Sequence, residues 1–300
     1  MDFLFDFIRK HGIAAGIAVF VLLFLWFYPA FYASIDEHEY LKNSFLLRQY
    51  SISTEQHELY CGGNEIADGI WQSSYPIGKS VYLIPFSFLP FDFVFLSGLL
   101  IHLINFILIF LILKRQRIPS FWSLVYLFLP VFQWSSRTLF PELNALAFLL
   151  LGYYFWSSDN KMQWAISGFA FGLAGFFRYE AVFALLAFGL EALFHDRKKL
   201  LPLFVGGLAA VILLLSYNAW AYGNPFSTGY GSVSDQAGQG ISSDFGISAI
   251  TYIAILFIAL PFSLWTVFKH KQWIAWAALT TIYIAFVSNF SPFWHFSFSW

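Results

Sequence analysis

Apolar residues run almost unbroken from Gly12 to Ala33, and stretches of the same character recur along the chain. Read as spans, they fall near 12–33, 94–113, 118–134, 139–156, 163–177, 181–194, 200–221, 247–268 and 273–290. A bilayer core of about 30 Å takes roughly 20 apolar helical residues. The pattern therefore predicts an all-α, polytopic membrane protein of about nine transmembrane helices, forming one membrane-embedded domain over 1–300. Residues 163–194 make one apolar run broken by Arg178, Tyr179 and Glu180. A single helix of that length would measure about 48 Å, so two short helices meeting at that break are expected. By the same logic Ser135–Arg137 is the tip of an earlier hairpin.

Two polar stretches separate the runs. Residues 34–92 form a first outer loop, in which Tyr40, Leu41, Ser44, Phe45, Leu47 and Arg48 recur with helical period and predict a helix lying at the membrane interface. Residues 222–246 form a second outer loop, and their glycines at 223, 229, 231, 238, 240 and 246 mark a connection rather than an element. With the N-terminus inside, Arg9, Lys10, Lys114, Arg115, Arg117, Lys161, Arg197, Lys198, Lys199, Lys269 and Lys271 fall on inner segments. Lys42, Arg48, Lys79, Arg137 and Arg178 fall on outer ones, and this asymmetry sets the orientation.

Composition sharpens the class. Hydrophobic residues make up 59% of the chain and charged residues 11%, too few to solvate most of its surface. A net charge of −1 gives no footing for nucleic acid, and the single Cys61 allows no internal disulfide. The first apolar run is longer than a signal-peptide core, which predicts an uncleaved anchor. His102 and Asn105 sit one turn apart inside a span, as expected for a hydrogen bond between helices. The sequence shows no glycine-rich phosphate loop, no Gly-x-Ser-x-Gly and no His/Cys/Asp set at metal-ligand spacing.

Candidate chemistry collects on the outer side. Directly behind the first run, "SIDEHEYL" carries Asp36, Glu37 and Glu39, either a solvated collar or a carboxylate placed to take a hydroxyl proton. Arg178 is either an interfacial anchor or, through its planar fork, a phosphate contact. Lys79 follows the tight turn suggested by Pro76 and Gly78. Arg137 and Glu142 share one outer end, as an ion pair or as substrate contacts. Tyr75, Glu180 and Tyr230 complete the candidate substrate contacts. No metal site is assigned, although the adjacent acids leave a divalent cation open as a cofactor.

Five segments resemble, in order, elements of the dolichyl-phosphate-mannose protein mannosyltransferase family and the related bacterial lipid A aminoarabinose transferases. They are "SIDEHEYLKNSFLLRQYSI", "SSYPIGKSVYLIPF", "RTLFPELNALAFLLLGYYFW", "AISGFAFGLAGFFRYEAVFALLAF" and "YNAWAYGNPFSTGY". The resemblance spans roughly residues 12–235 and implies an integral-membrane glycosyltransferase of the GT-C type. It implies Asp36 as the catalytic aspartate, Glu37 as its neighbouring acid, and Lys79 and Arg178 at the phosphate of the donor. The implied reaction is an inverting transfer of sugar from a polyprenyl-phosphate donor to a lipid, glycan or protein acceptor, at the outer face of a prokaryotic plasma membrane. Membrane lipids are then obligatory partners. A polymerase of lipid-linked oligosaccharides, or a flippase or transporter of lipid-linked sugars, remains the alternative.

Overall fold

The computed structural model describes residues 2–32, 34–55, 63–67, 69–232, 246, 249–251, 254, 277, 278 and 280–282. Nearly all of the expected spans 247–268 and 273–290, residues 233–245 of the expected loop 222–246, and Cys61 lie outside the described residues.

Helices dominate. In chain order they are α1 (Asp2–Trp26), α2 (Ile35–Arg48), α3 (Ile77–Leu83), α4 (Leu96–Arg115), α5 (Ser123–Phe128), α6 (Pro130–Ser136), α7 (Glu142–Trp156), α8 (Lys161–Ala174), α9 (Phe183–His195) and α10 (Leu200–Tyr222). A small antiparallel sheet sits between α2 and α3, made of β1 (Ser53–Thr54), β2 (Gly63–Ala67) and β3 (Ile70–Ser73) in the order β1-β3-β2. Gln72 is the central partner, opposite Ser53 on one side and Asn64 on the other. A second pair, β4 (Ser227–Thr228) and β5 (Gly231–Ser232), follows α10.

The nine-span expectation is overturned. Among the described residues two helices are long and apolar enough to cross a membrane, Phe91–Arg115 and Arg197–Tyr222. The physical reason is where helices stop. The run over 118–134 breaks at Leu129, which is extended ahead of Pro130 and divides α5 from α6. Over 139–156 helix begins only after Pro141, leaving the 15 residues of α7. At about 1.5 Å per residue that is roughly 22 Å, short of the hydrocarbon core. Helix α8 is a residue shorter and ends at Ala174. The sheet in 53–73 corrects the all-α expectation as well; strands of two to five residues are too short for alternation to announce them.

Helices α4, α7, α8 and α10 pack as consecutive neighbours, so the two long apolar helices flank two short ones. Helices α8 and α10 approach closely because both carry glycine where they cross. A Cβ on Gly168 would strike the Leu203 carbonyl, and one on Gly206 the Ala165 carbonyl. One core cluster joins Ile112, Tyr153, Trp156, Phe171, Phe188 and Leu203 at the end of α7 that carries Trp156. Another, of Tyr40, Leu41, Leu83, Val94, Phe95 and Leu139, lies where α2 meets α3 and the start of α4.

Candidate active site

Helix α2 follows Ser34, whose extended backbone lets the chain turn into the helix, and places Asp36 and Glu37 in the first turn, where the helix dipole favours carboxylates. The face expected to meet the membrane interface turns inward instead: Tyr40, Leu41 and Ser44 are buried against the protein, while Phe45 stays exposed. Consecutive helical positions point about 100° apart, and the two acids find different partners. Asp36 accepts a hydrogen bond from the Tyr75 hydroxyl at 2.7 Å. Glu37 is fully buried and accepts from the Leu139 amide at 2.8 Å, bracing the chain just ahead of α7.

Tyr75 is held firmly. Its amide donates to Ser73 Oγ at 3.2 Å, and Pro76 follows as the cap of α3. The Gly78 amide then donates to the Phe176 carbonyl at 2.7 Å, a contact that leaves no room for a Cβ. The Tyr75 ring packs against Tyr40 at 5.2 Å and edge-on to Tyr230 at 6.1 Å. Tyr230 in turn meets Tyr179 edge-on at 6.1 Å. Burial, and then the hydrogen bond to Asp36, push the Tyr75 phenol well above its ordinary range, so it remains a proton donor.

Arg178 lies between the end of α8 and a 3-10 turn over Tyr179–Val182, with extended backbone. The expected break at Arg178–Glu180 is therefore present. Its Nη2 donates to Glu142 Oε1, and its Nε faces Glu180 at 3.7 Å. Burial alone would lower the guanidinium, but Glu142 and Glu180 outweigh it and hold the group charged. Tyr40 and Tyr230 also lie close enough to act on it.

Lys79 sits deeper. It is 1% exposed, donates to Asn144 Oδ1 at 3.0 Å, and lies over the Tyr82 ring at 5.2 Å. Burial lowers its amine to about 7, against the smaller opposing pull of Glu142 and Glu37. The structure thus puts this lysine behind the site rather than at its surface. Arg137 belongs elsewhere. It donates to the Leu23 and Phe27 carbonyls and to Gln133, over the Phe24 ring, and so clamps the end of α1 to α6.

Of the residues expected at the site, Asp36, Tyr75, Glu142, Arg178, Glu180 and Tyr230 come together, with Glu37 and Lys79 buried beneath. Tyr40, Tyr179 and Asn144 join them unanticipated. Tyr40 had a signal, since it stands four residues after Asp36 and shares its helix face. Tyr179 was visible as the centre of the Arg-Tyr-Glu break, whereas a lone Asn144 in an apolar run gave none. Among the described residues no group of three or more His, Cys, Asp or Glu is placed to hold a metal ion. Comparison with known proteins returns no matching family model, no matching curated protein and no matching solved structure.

Proposed function

We propose that this chain transfers a sugar from a polyprenyl-phosphate donor to an acceptor at a membrane surface, with inversion at the anomeric carbon. One observation carries the reading. The five segments that resemble the glycosyltransferase elements lie far apart in sequence, yet each sends a residue to the same cluster: Asp36, Tyr75, Glu142, Arg178 with Glu180, and Tyr230. The two long apolar helices support a lipid setting, as do exposed side chains such as Leu201, Phe204, Ile212 and Trp220 along α10.

In this reading the acceptor hydroxyl attacks the anomeric carbon as the bond from that carbon to the phosphate oxygen breaks. The acceptor's proton passes to Asp36, and the electron pair leaves on the lipid phosphate. Arg178, already charged and partly desolvated, faces the growing phosphate charge, exchanging one carboxylate partner for the leaving group. A single displacement needs one base and no carboxylate nucleophile.

The test uses the full chain in nanodiscs with synthetic polyprenyl-phosphate sugars as donors and a membrane extract as the source of acceptor, reading released polyprenyl phosphate and new glycoside. Wild type is expected to release both. Asp36→Asn should lower transfer by about 10²-fold or more while donor binding is kept. Undiminished transfer by Asp36→Asn, or a wild type that neither binds nor consumes any donor in the panel, overturns the proposal.

A further inference from the structure

We propose that Tyr75 is the positioning residue of this site: its phenol occupies Asp36 Oδ1 and so commits Oδ2 as the oxygen that takes the acceptor's proton. The inference rests on the reading of Asp36 as the base and goes beyond it by assigning the two carboxylate oxygens separate tasks.

An ionised carboxylate only accepts hydrogen bonds. The 2.7 Å contact therefore has one sense, from Tyr75 to Asp36. A surface carboxylate on a short side chain would otherwise rotate freely about its last torsion, spreading its lone pairs over many directions. A base must hold one lone pair towards the proton it abstracts, and errors of about 1 Å in such placement cost on the order of 10²-fold in rate.

Tyr75 is suited to fix that direction because it cannot easily move itself. It is bonded through its amide to Ser73, followed by a proline, and flanked by the Tyr40 and Tyr230 rings. The Ser73 carbonyl on the same strand end receives the Tyr222 hydroxyl at 3.3 Å, which ties this turn to the end of α10. Gly229 closes on the Ser74 backbone, where a Cβ would collide with the carbonyl. Elements from both sides of the site thus converge on the segment that carries the phenol.

Two other roles would explain the same ring. It could simply pack, or it could form a platform under the sugar. These separate in a double-mutant cycle run with the assay above. Tyr75→Phe keeps the ring and its neighbours and removes only the hydroxyl. It should lower kcat by about 10-fold or more, with donor KM unchanged, and should cost nothing further on the Asp36→Asn background. 4-Aminophenylalanine at position 75, which keeps the ring and restores a donor at the para position, should recover part of the loss and covers the case in which Tyr75→Phe does not fold. Full activity of Tyr75→Phe, a raised donor KM at unchanged kcat, or a loss that multiplies with that of Asp36→Asn would each overturn the inference. If Asp36→Asn is itself fully active the base reading fails. If Asp36→Asn is inactive and Tyr75→Phe is normal, only the role of Tyr75 fails.

Discussion

Lys79 carries an amine into a place that water does not reach. Its hydrogen bond to Asn144 satisfies one proton, and the carboxylates of Glu142 and Glu37 favour the charge, yet burial prevails and brings the group from 10.5 to about 7. Between those two values the unfolded chain binds the proton and the folded chain releases it. The unfolded state then holds more protons, so stability must rise with pH across this window and fall as pH drops towards 7. The slope contributed by this lysine is at most about 1.4 kcal/mol per pH unit. Thermal unfolding of the purified protein from pH 6.5 to 9 should show a midpoint that climbs with pH. Lys79→Met should flatten the climb and raise stability most at the acidic end. Parallel curves for the two proteins would mean that the amine keeps its ordinary affinity for protons. The position also separates two kinds of basic residue that look alike in sequence. Lys79 braces the site from within, while Arg178 reaches its surface and meets the carboxylates there.

At the scale of elements, the packing of α8 against α10 depends on backbone contact at Gly168 and Gly206. A methyl at either place has no flexible neighbour to displace, because what it meets is the carbonyl of the facing helix. Gly206→Ala should therefore cost about 1–3 kcal/mol or more and lower the unfolding midpoint by several degrees. It should also loosen Arg178, which stands four residues beyond the end of α8. Gly189→Ala, inside α9 with open space around it, serves as the control and should keep the midpoint or raise it slightly, since alanine favours a helix interior. Equal midpoints for Gly206→Ala and wild type would show that the two helices can part without cost. These crossings explain what the sequence could and could not disclose. Apolar runs located the helices well, and α4 and α10 match their runs closely. Hydropathy, however, counts greasy residues without asking whether they share one helix. It reads through Leu129-Pro130, where the backbone leaves the helix, and through Pro141, after which helix only begins, and so turns short helices into spans. The acidic and basic residues of the site were legible because each is an exception in an apolar neighbourhood. Tyr40 and Tyr179 each had a local signal but no charge to set them apart from the many other aromatic residues, and Arg137, open in sequence as an ion pair with Glu142 or a substrate contact, donates to helix carbonyls, a contact that sequence does not announce.

The molecule as a whole has two chemically different ends. Helix α7 begins at Glu142 in the site and ends at Trp156, α8 returns to Arg178, and α10 leaves Lys199 and arrives at Tyr222, whose hydroxyl reaches Ser73. The end remote from the site is basic. Arg115 donates to the Tyr154 carbonyl at 2.8 Å over that residue's ring, and Lys199 donates to the Trp156 carbonyl at 3.3 Å between the Trp156 and Trp164 rings. Both cations thereby cap the negative end of α7, a favourable placement for the helix dipole. Phe91–Arg115 and Arg197–Tyr222 each run with their Lys and Arg residues at this end, and at about 1.5 Å per residue each is longer than a hydrocarbon core. A bilayer around these two helices would separate the ends, and by the bias of basic residues towards the cytoplasm the basic end would face in. On a Cys61→Ser background, Asn224→Cys beside the site should react with a membrane-impermeant thiol reagent in intact cells. Lys198→Cys should react only after permeabilisation. Both positions are exposed, so protection of one reports a barrier rather than burial. Labelling of both in intact cells would rule out a membrane between the acidic site and the basic end, and labelling of Lys198→Cys alone would reverse the orientation. The site would then have to take its lipid-linked donor from some other direction than the outer leaflet.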